Sequence, residues 1–157
     1  MIAADILTAA RTQGIRIATA ESCTGGMIAA ALTNIAGSSD VFDRGFVTYS
    51  NDAKIDMLGV KQTTLDAHGA VSEQIATEMA TGALTRSTAT LTVATTGIAG
   101  PGGSDFKPEG RVCFGLAQHG QPTQTQTIEF GPLGRAAVRA AATEYALGLL
   151  MQALDQA

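Results

Sequence analysis

The sequence predicts an α/β fold: a mixed sheet of five strands with helices on both faces. Three observations carry this reading. Helical and β-rich segments alternate through the first part of the chain, a strand–turn–strand pair comes late, and a long alanine-rich helix closes it. At 157 residues the chain fits one domain, residues 1–157. A domain of that size buries roughly 70% of its unfolded surface, so it needs neither disulfide nor metal to fold. A hydrophobic share of 45% with a net charge of only -4 argues against disorder. Aromatic residues make up just 4% and Trp is absent, so the core must be aliphatic and alanine-rich.

In chain order, Ile2, Ile6, Leu7 and Ala10 fall on one stripe of residues 1–13, the spacing of an amphipathic helix, and Gly14 ends it. Residues 15–20 are a short apolar, β-branched run and read as a strand. Glu21-Ser22-Cys23-Thr24-Gly25-Gly26 follows, then a helical run over residues 27–35. Gly37-Ser38-Ser39-Asp40 is turn chemistry. Residues 45–50 read as the second strand, residues 51–58 as a helix stopped by Gly59, and residues 63–67 as a further helical segment. Ser72 is placed to cap a helix reaching Leu84, with Glu73 in its first turn. Residues 89–95 form the third strand and residues 97–110 a loop rich in glycine and proline. Residues 111–118 and 124–130 make a hairpin turned by His119-Gly120-Gln121-Pro122, and residues 133–154 the closing helix.

Composition excludes several functions. No apolar run approaches the ~20 residues that span a bilayer, and the first residues lack a secretory signal pattern. The acidic balance does not suit a nucleic-acid binder. Two cysteines, Cys23 and Cys113, and two histidines, His68 and His119, supply a transition-metal site poorly. No metal and no cofactor are therefore expected, and a cytoplasmic setting with reduced thiols is the simplest placement.

Ligands of such sheets bind beyond the carboxyl ends of the strands. The segments starting at Ser22, Tyr49 and Thr95 all reach that edge, and all are rich in hydroxyls or glycine. Ser22 lies between a strand and a helix, where unpaired amides favour an alkoxide or oxyanion; alternatively, Ser22 or Thr24 only caps the helix. Gly25 and Gly26 permit close approach. The segment is not a G-x-S-x-G elbow, since Ala20 and Thr24 stand at the glycine positions. Neither histidine is placed as a base for Ser22, which leaves a lysine with a depressed pKa. Lys54, one turn into the helix after Tyr49-Ser50-Asn51, is the candidate; the plainer alternative is a solvated lysine. Thr95-Thr96-Gly97-Ile98-Ala99-Gly100-Pro101-Gly102-Gly103 looks like a phosphate-cradling loop but matches neither a Walker nor a dinucleotide pattern. Lys107 could meet a phosphate or lie in solvent. Arg135 and Arg139, four apart at the start of the last helix, make either an anion clamp or surface ion pairs.

The ordered set is more telling than any piece. Ala20-Glu21-Ser22-Cys23-Thr24-Gly25-Gly26, Gly45-Phe46-Val47-Thr48-Tyr49-Ser50-Asn51 with Lys54, His68-Gly69-Ala70-Val71-Ser72, Thr96-Gly97-Ile98-Ala99-Gly100-Pro101, and Lys107-Pro108 with Gly110 resemble the carboxy-terminal domain of the competence/damage-inducible protein CinA family almost end to end. The resemblance implies a three-layer α/β/α sandwich around a mixed, mostly parallel sheet of about five strands. It implies hydrolysis of nicotinamide mononucleotide to nicotinate mononucleotide and ammonia, without a metal. By motif position Ser22 would be the nucleophile, Lys54 its general base and Tyr49 a support to the pair. Cys23, Thr24, Gly25, Thr96, Gly97 and Gly100 would line the substrate site, and Arg135 or Arg139 would meet the nucleotide phosphate. The expected partner is a small nucleotide, with no nucleic acid or membrane; a homo-oligomer is left open. Larger members carry a further amino-terminal domain that this chain is expected to lack.

Three features depart from the family pattern. The Gly100-Pro101-Gly102-Gly103-Ser104 loop is one residue short, Glu109 replaces a small apolar residue, and Gly131-Pro132-Leu133-Gly134-Arg135 replaces the frequent Gly-Asp-Arg. Two rival readings remain at this level: Cys23 as the nucleophile, and a binding module without turnover.

Overall fold

The computed structural model describes residues 1–104 and 106–156; Asp105, in the loop expected over residues 97–110, and Ala157 lie outside them. Five strands form one sheet in the order β2-β1-β3-β4-β5: β1 (Ile17–Glu21), β2 (Phe42–Val47), β3 (Leu91–Gly97), β4 (Arg111–Gln118) and β5 (Gln124–Glu129). β1 pairs in parallel with β2 and β3, and the late hairpin adds β4 and β5 antiparallel. Six helices cover the sheet: α1 (Ile2–Gln13), α2 (Met27–Thr33), α3 (Asn51–Leu58), α4 (Gln62–His68), α5 (Glu73–Thr85) and α6 (Arg135–Asp155). Among the described residues no helix is long and apolar enough to cross a membrane.

The two faces are packed by different residues. On one, α1, α2 and α6 cover Ile17, Leu91, Val93, Val112 and Phe114. On the other, α5 with α3 and α4 covers Ala20, Ala94 and Ala117. Side chains alternate between sheet faces, so each strand sends its bulk one way and its small residues the other. A Cβ on Gly115 would collide with the Ala76 carbonyl of α5, which fixes how closely that helix lies on β4. Alanines pack on both faces: Ala20, Ala94 and Ala117 lie under α5, and Ala3, Ala10, Ala142 and Ala146 lie in the core on the other side.

Capping follows the sequence closely. The Ser50 hydroxyl accepts from the Ala53 N–H at 3.0 Å and starts α3; Gly59, left-handed at φ 71, ends it. Ser72 accepts from the Ile75 N–H at 3.2 Å and starts α5.

Several strands differ in their bounds from expectation, β1 being Ile17–Glu21 rather than residues 15–20. The second strand is Phe42–Val47, not residues 45–50. Gly45 sits inside it because a Cβ there would press on Thr19 Oγ1 and Ala29, and the ladder with β1 ends at Glu21↔Val47. Residues 48–50 leave the sheet to enter α3. β3 likewise starts and ends two residues later than expected, since its ladder with β4 runs on to Gly97↔Val112.

A candidate active site at the parallel strand exits

Glu21, at the end of β1, is paired with Val47 on one side and Thr95 on the other. The residues just beyond these three positions therefore emerge together. The Ser22 N–H donates to the Thr95 carbonyl at 3.0 Å and the Thr48 N–H to the Glu21 carbonyl at 2.8 Å, which ties the three exits. They open on a cavity of about 250 Å³ lined by Ser22, Cys23, Tyr49, Lys54, Thr96, Gly97 and Arg135 among others.

Lys54 Nζ lies 3.0 Å from Ser22 Oγ and donates to the Tyr49 carbonyl at 3.1 Å. The Ser22 hydroxyl lies 3.4 Å from the same carbonyl. The amine comes from one turn into α3, held there by the Ser50 cap, so α3 aims a cation back at the exit of β1. Lys54 is only 1% exposed, among the largest fully buried side chains of the described residues. Burial penalises its charged form and lowers its pKa from 10.5 to about 8, with Cys23 acting weakly in the opposite direction. At pH 7 about a tenth of such an amine is neutral. The arrangement holds an amine and a hydroxyl within proton-transfer distance.

Tyr49 touches this pair through its main-chain carbonyl. Its ring is exposed, and its phenol oxygen accepts from Arg135 Nη2 at 2.7 Å. Arg135 Nη1 donates to the Gly100 carbonyl at 2.7 Å, so Arg135 bridges the Tyr49 segment and the glycine loop at the cavity. Glu109 braces that bridge from behind: its carboxylate accepts from the Gly102 N–H at 2.7 Å and the Gly134 N–H at 3.1 Å, joining the loop to the start of α6.

The expected arginine pair is divided. Arg139 turns under the turn after β1, where Nε donates to the Cys23 carbonyl at 3.0 Å and Nη2 faces the Thr24 carbonyl at 3.4 Å. Packed against Gly25, it does not line the cavity. Two carbonyls aimed at one guanidinium explain this: the turn needs a donor, and Arg139 is one helical turn behind Arg135.

The helix mouth also differs from expectation. α2 starts at Met27, as the sequence reads, but that is five residues after the nucleophile candidate, and its first amides are occupied. The Ile28 and Ala29 N–H groups donate to the Glu21 carboxylate at 2.9 and 3.0 Å, and the Thr24 hydroxyl donates to it at 2.6 Å. Glu21 is fully buried. Sequence reasoning overlooked Glu21, because a carboxylate seven and eight residues before the amides it binds leaves no periodic signal. Thr24 is buried beside Glu21 and Thr95, away from the cavity. Among the described residues the Cys23 and Thr24 amides carry no hydrogen bond, while the Gly25 N–H donates back to the Ser22 carbonyl at 3.0 Å.

Thr96 and Gly97 line the cavity. The Thr96 hydroxyl, though in the cavity wall, is committed to the Ala70 carbonyl at 2.8 Å. Gly97 leaves room that a Cβ would take from Cys23 Sγ and the Arg111 carbonyl. Gly100 contributes its carbonyl to Arg135 and is not itself in the wall. Lys107 is not free for phosphate: Nζ donates to the His68 and Val71 carbonyls at 2.8 and 2.6 Å and clasps that turn. Burial pushes the Cys23 thiol up to about 12, so the rival nucleophile stays protonated at neutral pH.

A buried lysine on a serine at the exits of three parallel strands defines an α/β protein with a serine–lysine site. The CinA C-terminal domain model matches residues 1–154, and the chain belongs to that family. The chain is 60% identical over 108 residues to a CinA-like protein of Chloroherpeton thalassium, a match covering 68% of this chain and 26% of that one. The chain thus spans about a quarter of the length of such curated relatives. It is 51% identical over 146 residues to the nicotinamide-nucleotide amidohydrolase PncC of Escherichia coli, covering 92% and 87% of the two chains. The crystal structure of the competence/damage inducible protein CihA from Agrobacterium tumefaciens superposes with a TM-score of 0.94 at 52% identity, covering 98% and 93%.

Proposed function

We propose that the protein is an amidohydrolase acting on nicotinamide mononucleotide, with Ser22 as nucleophile and Lys54 as general base. The contact of 3.0 Å between Lys54 Nζ and Ser22 Oγ inside the cavity is the observation that carries this reading. The substrate is taken from the amidohydrolase relative that matches nearly end to end.

Neutral Lys54 accepts the Ser22 proton as Oγ bonds to the carboxamide carbon. The oxyanion faces the free Cys23 and Thr24 amides, where one donor is worth roughly 3 kcal/mol of barrier. Lys54 returns the proton to the leaving nitrogen, the C–N bond breaks and ammonia departs. Water then attacks the acyl-enzyme by the same route in reverse, splitting a hard hydrolysis into two easier steps. The Tyr49 carbonyl orients the amine throughout. Arg135, exposed and always charged, meets the nucleotide phosphate, which offers stronger acceptors than the neutral oxygens it now holds.

The test is ammonia release from nicotinamide mononucleotide with and without chelator. Equal release in both is expected. Absence of release, with tight binding of the nucleotide, would identify a binding module instead.

A further inference from the structure

The cavity has cations and no acid. Among the described residues of its wall, Lys54 and Arg135 carry the only charges. The carboxylates around it are exposed or engaged elsewhere: Asp52 lies exposed in the first turn of α3, Glu21 is on the amides of α2, Glu109 on the Gly102 and Gly134 amides, Glu73 on Thr125 and Thr127, and Glu78 on the Lys61 amide and Thr64. Lys54 faces Ser22 and the Tyr49 carbonyl, and Cys23 beside it is a protonated thiol. Among the described residues no carboxylate bonds to Lys54 to neutralise its ammonium once it forms.

This has a consequence for the end of the reaction. When the acyl-enzyme is hydrolysed, the water oxygen bonds to the acyl carbon, the carbon–Oγ bond breaks and Ser22 regains a proton. The new carboxylic acid gives its proton to the neutral Lys54 amine beside it. A carboxylate then lies against a buried ammonium that has no other counter-charge among the described residues. A charge-assisted hydrogen bond is about twice as strong as the neutral one the amide substrate can make.

We propose that protonated Lys54 holds the carboxylate of the acid product, so that the proton which silences the base also retains the product. The inference rests on the amidohydrolase reading and adds a regulation to it. Substrate turns over on the deprotonated enzyme, whereas the acid binds the protonated one. Falling pH then slows the reaction twice, by removing the base and by filling the site with product.

Calorimetry of the wild-type protein with nicotinate mononucleotide at pH 7.0 and 9.5 tests this, with ribose 5-phosphate as the control for phosphate and Arg135. The phosphate is already ionised at both values, its second pKa lying near 6. The acid is expected to bind about tenfold or more weaker at pH 9.5, with ribose 5-phosphate changing by less than about twofold. Lys54→Gln is expected to remove the difference. Independently of any variant, binding of the acid at pH 8 in buffers of different ionisation enthalpy should take up about half a proton per site. Equal affinity at the two pH values, no proton uptake, or no detectable binding of the acid overturns the inference. Ammonia release seen together with pH-independent acid binding would leave the amidohydrolase reading standing and remove only this one. Without ammonia release, the amidohydrolase reading itself fails.

Discussion

Lys54 and Arg135 are the two cations of one cavity, and the protein holds them differently. Lys54 is buried, its amine between a serine hydroxyl and a main-chain carbonyl, and burial draws its pKa down to about 8. Arg135 is exposed, strung between the Gly100 carbonyl and the Tyr49 phenol. A lysine can lose its proton when desolvated, and an arginine cannot. On the proposed reading the difference divides the labour: chemistry belongs to the cation that burial makes titratable, and anchoring to the one that stays charged.

Substitutions at the buried end should act on kcat, and those at the exposed end on KM. Ser22→Ala is expected to have the largest effect, about a 10⁴-fold loss of kcat in the ammonia assay with KM little changed. Lys54→Met should lose about 10³-fold, yet raise stability at pH 7 by about 1–3 kcal/mol in chemical denaturation. The sign follows from the shift. The unfolded chain binds the Lys54 proton up to 10.5 and the folded one only to about 8, so wild-type stability climbs between those values. The gap between variant and wild type should close above pH 10.5. A variant that is less stable at pH 7 would deny that Lys54 is held at a cost.

The pH profile sharpens the same contrast. With neutral Lys54 required, kcat/KM should rise about tenfold per pH unit below 8 and level above it. A profile flat from pH 6 to 9 would remove Lys54 as the base. Arg135→Ala should raise KM about tenfold with kcat within threefold. Arg139→Ala, by contrast, releases two carbonyls of the nucleophile turn and should lower the melting temperature. Tyr49→Phe is the smallest change, about a twofold rise in KM, because only the phenol that steadies Arg135 is lost.

How much of this was legible in the sequence depended on distance along the chain. Helix α3 was read to the residue, because Ser50 and Gly59 mark its ends locally. The convergence of Ser22 and Lys54 was legible too, since successive parallel strands deliver their exits to one edge. What stayed hidden needed partners far away. Whether Arg139 faces the cavity depends on the Cys23 and Thr24 carbonyls, more than a hundred residues earlier. Lys107 could be read as a phosphate ligand or as solvated; folding instead brings the His68 and Val71 carbonyls to it. Glu21 looked like one more charge beside a serine. Only the fold reveals that it fills the helix mouth expected to serve the reaction. The edge strand β2 was misplaced because Gly45 reads as punctuation, whereas here it makes room for Thr19 and Ala29.

The central claim is that Ser22, activated by Lys54, forms a bond to the substrate. Rapid acid quench of the protein during turnover of nicotinamide mononucleotide, followed by peptide mass spectrometry, tests it most directly. The account predicts a nicotinoyl-nucleotide adduct on Ser22 that is absent from Ser22→Ala. An adduct on Cys23, or full-rate ammonia release by Ser22→Ala, would contradict it.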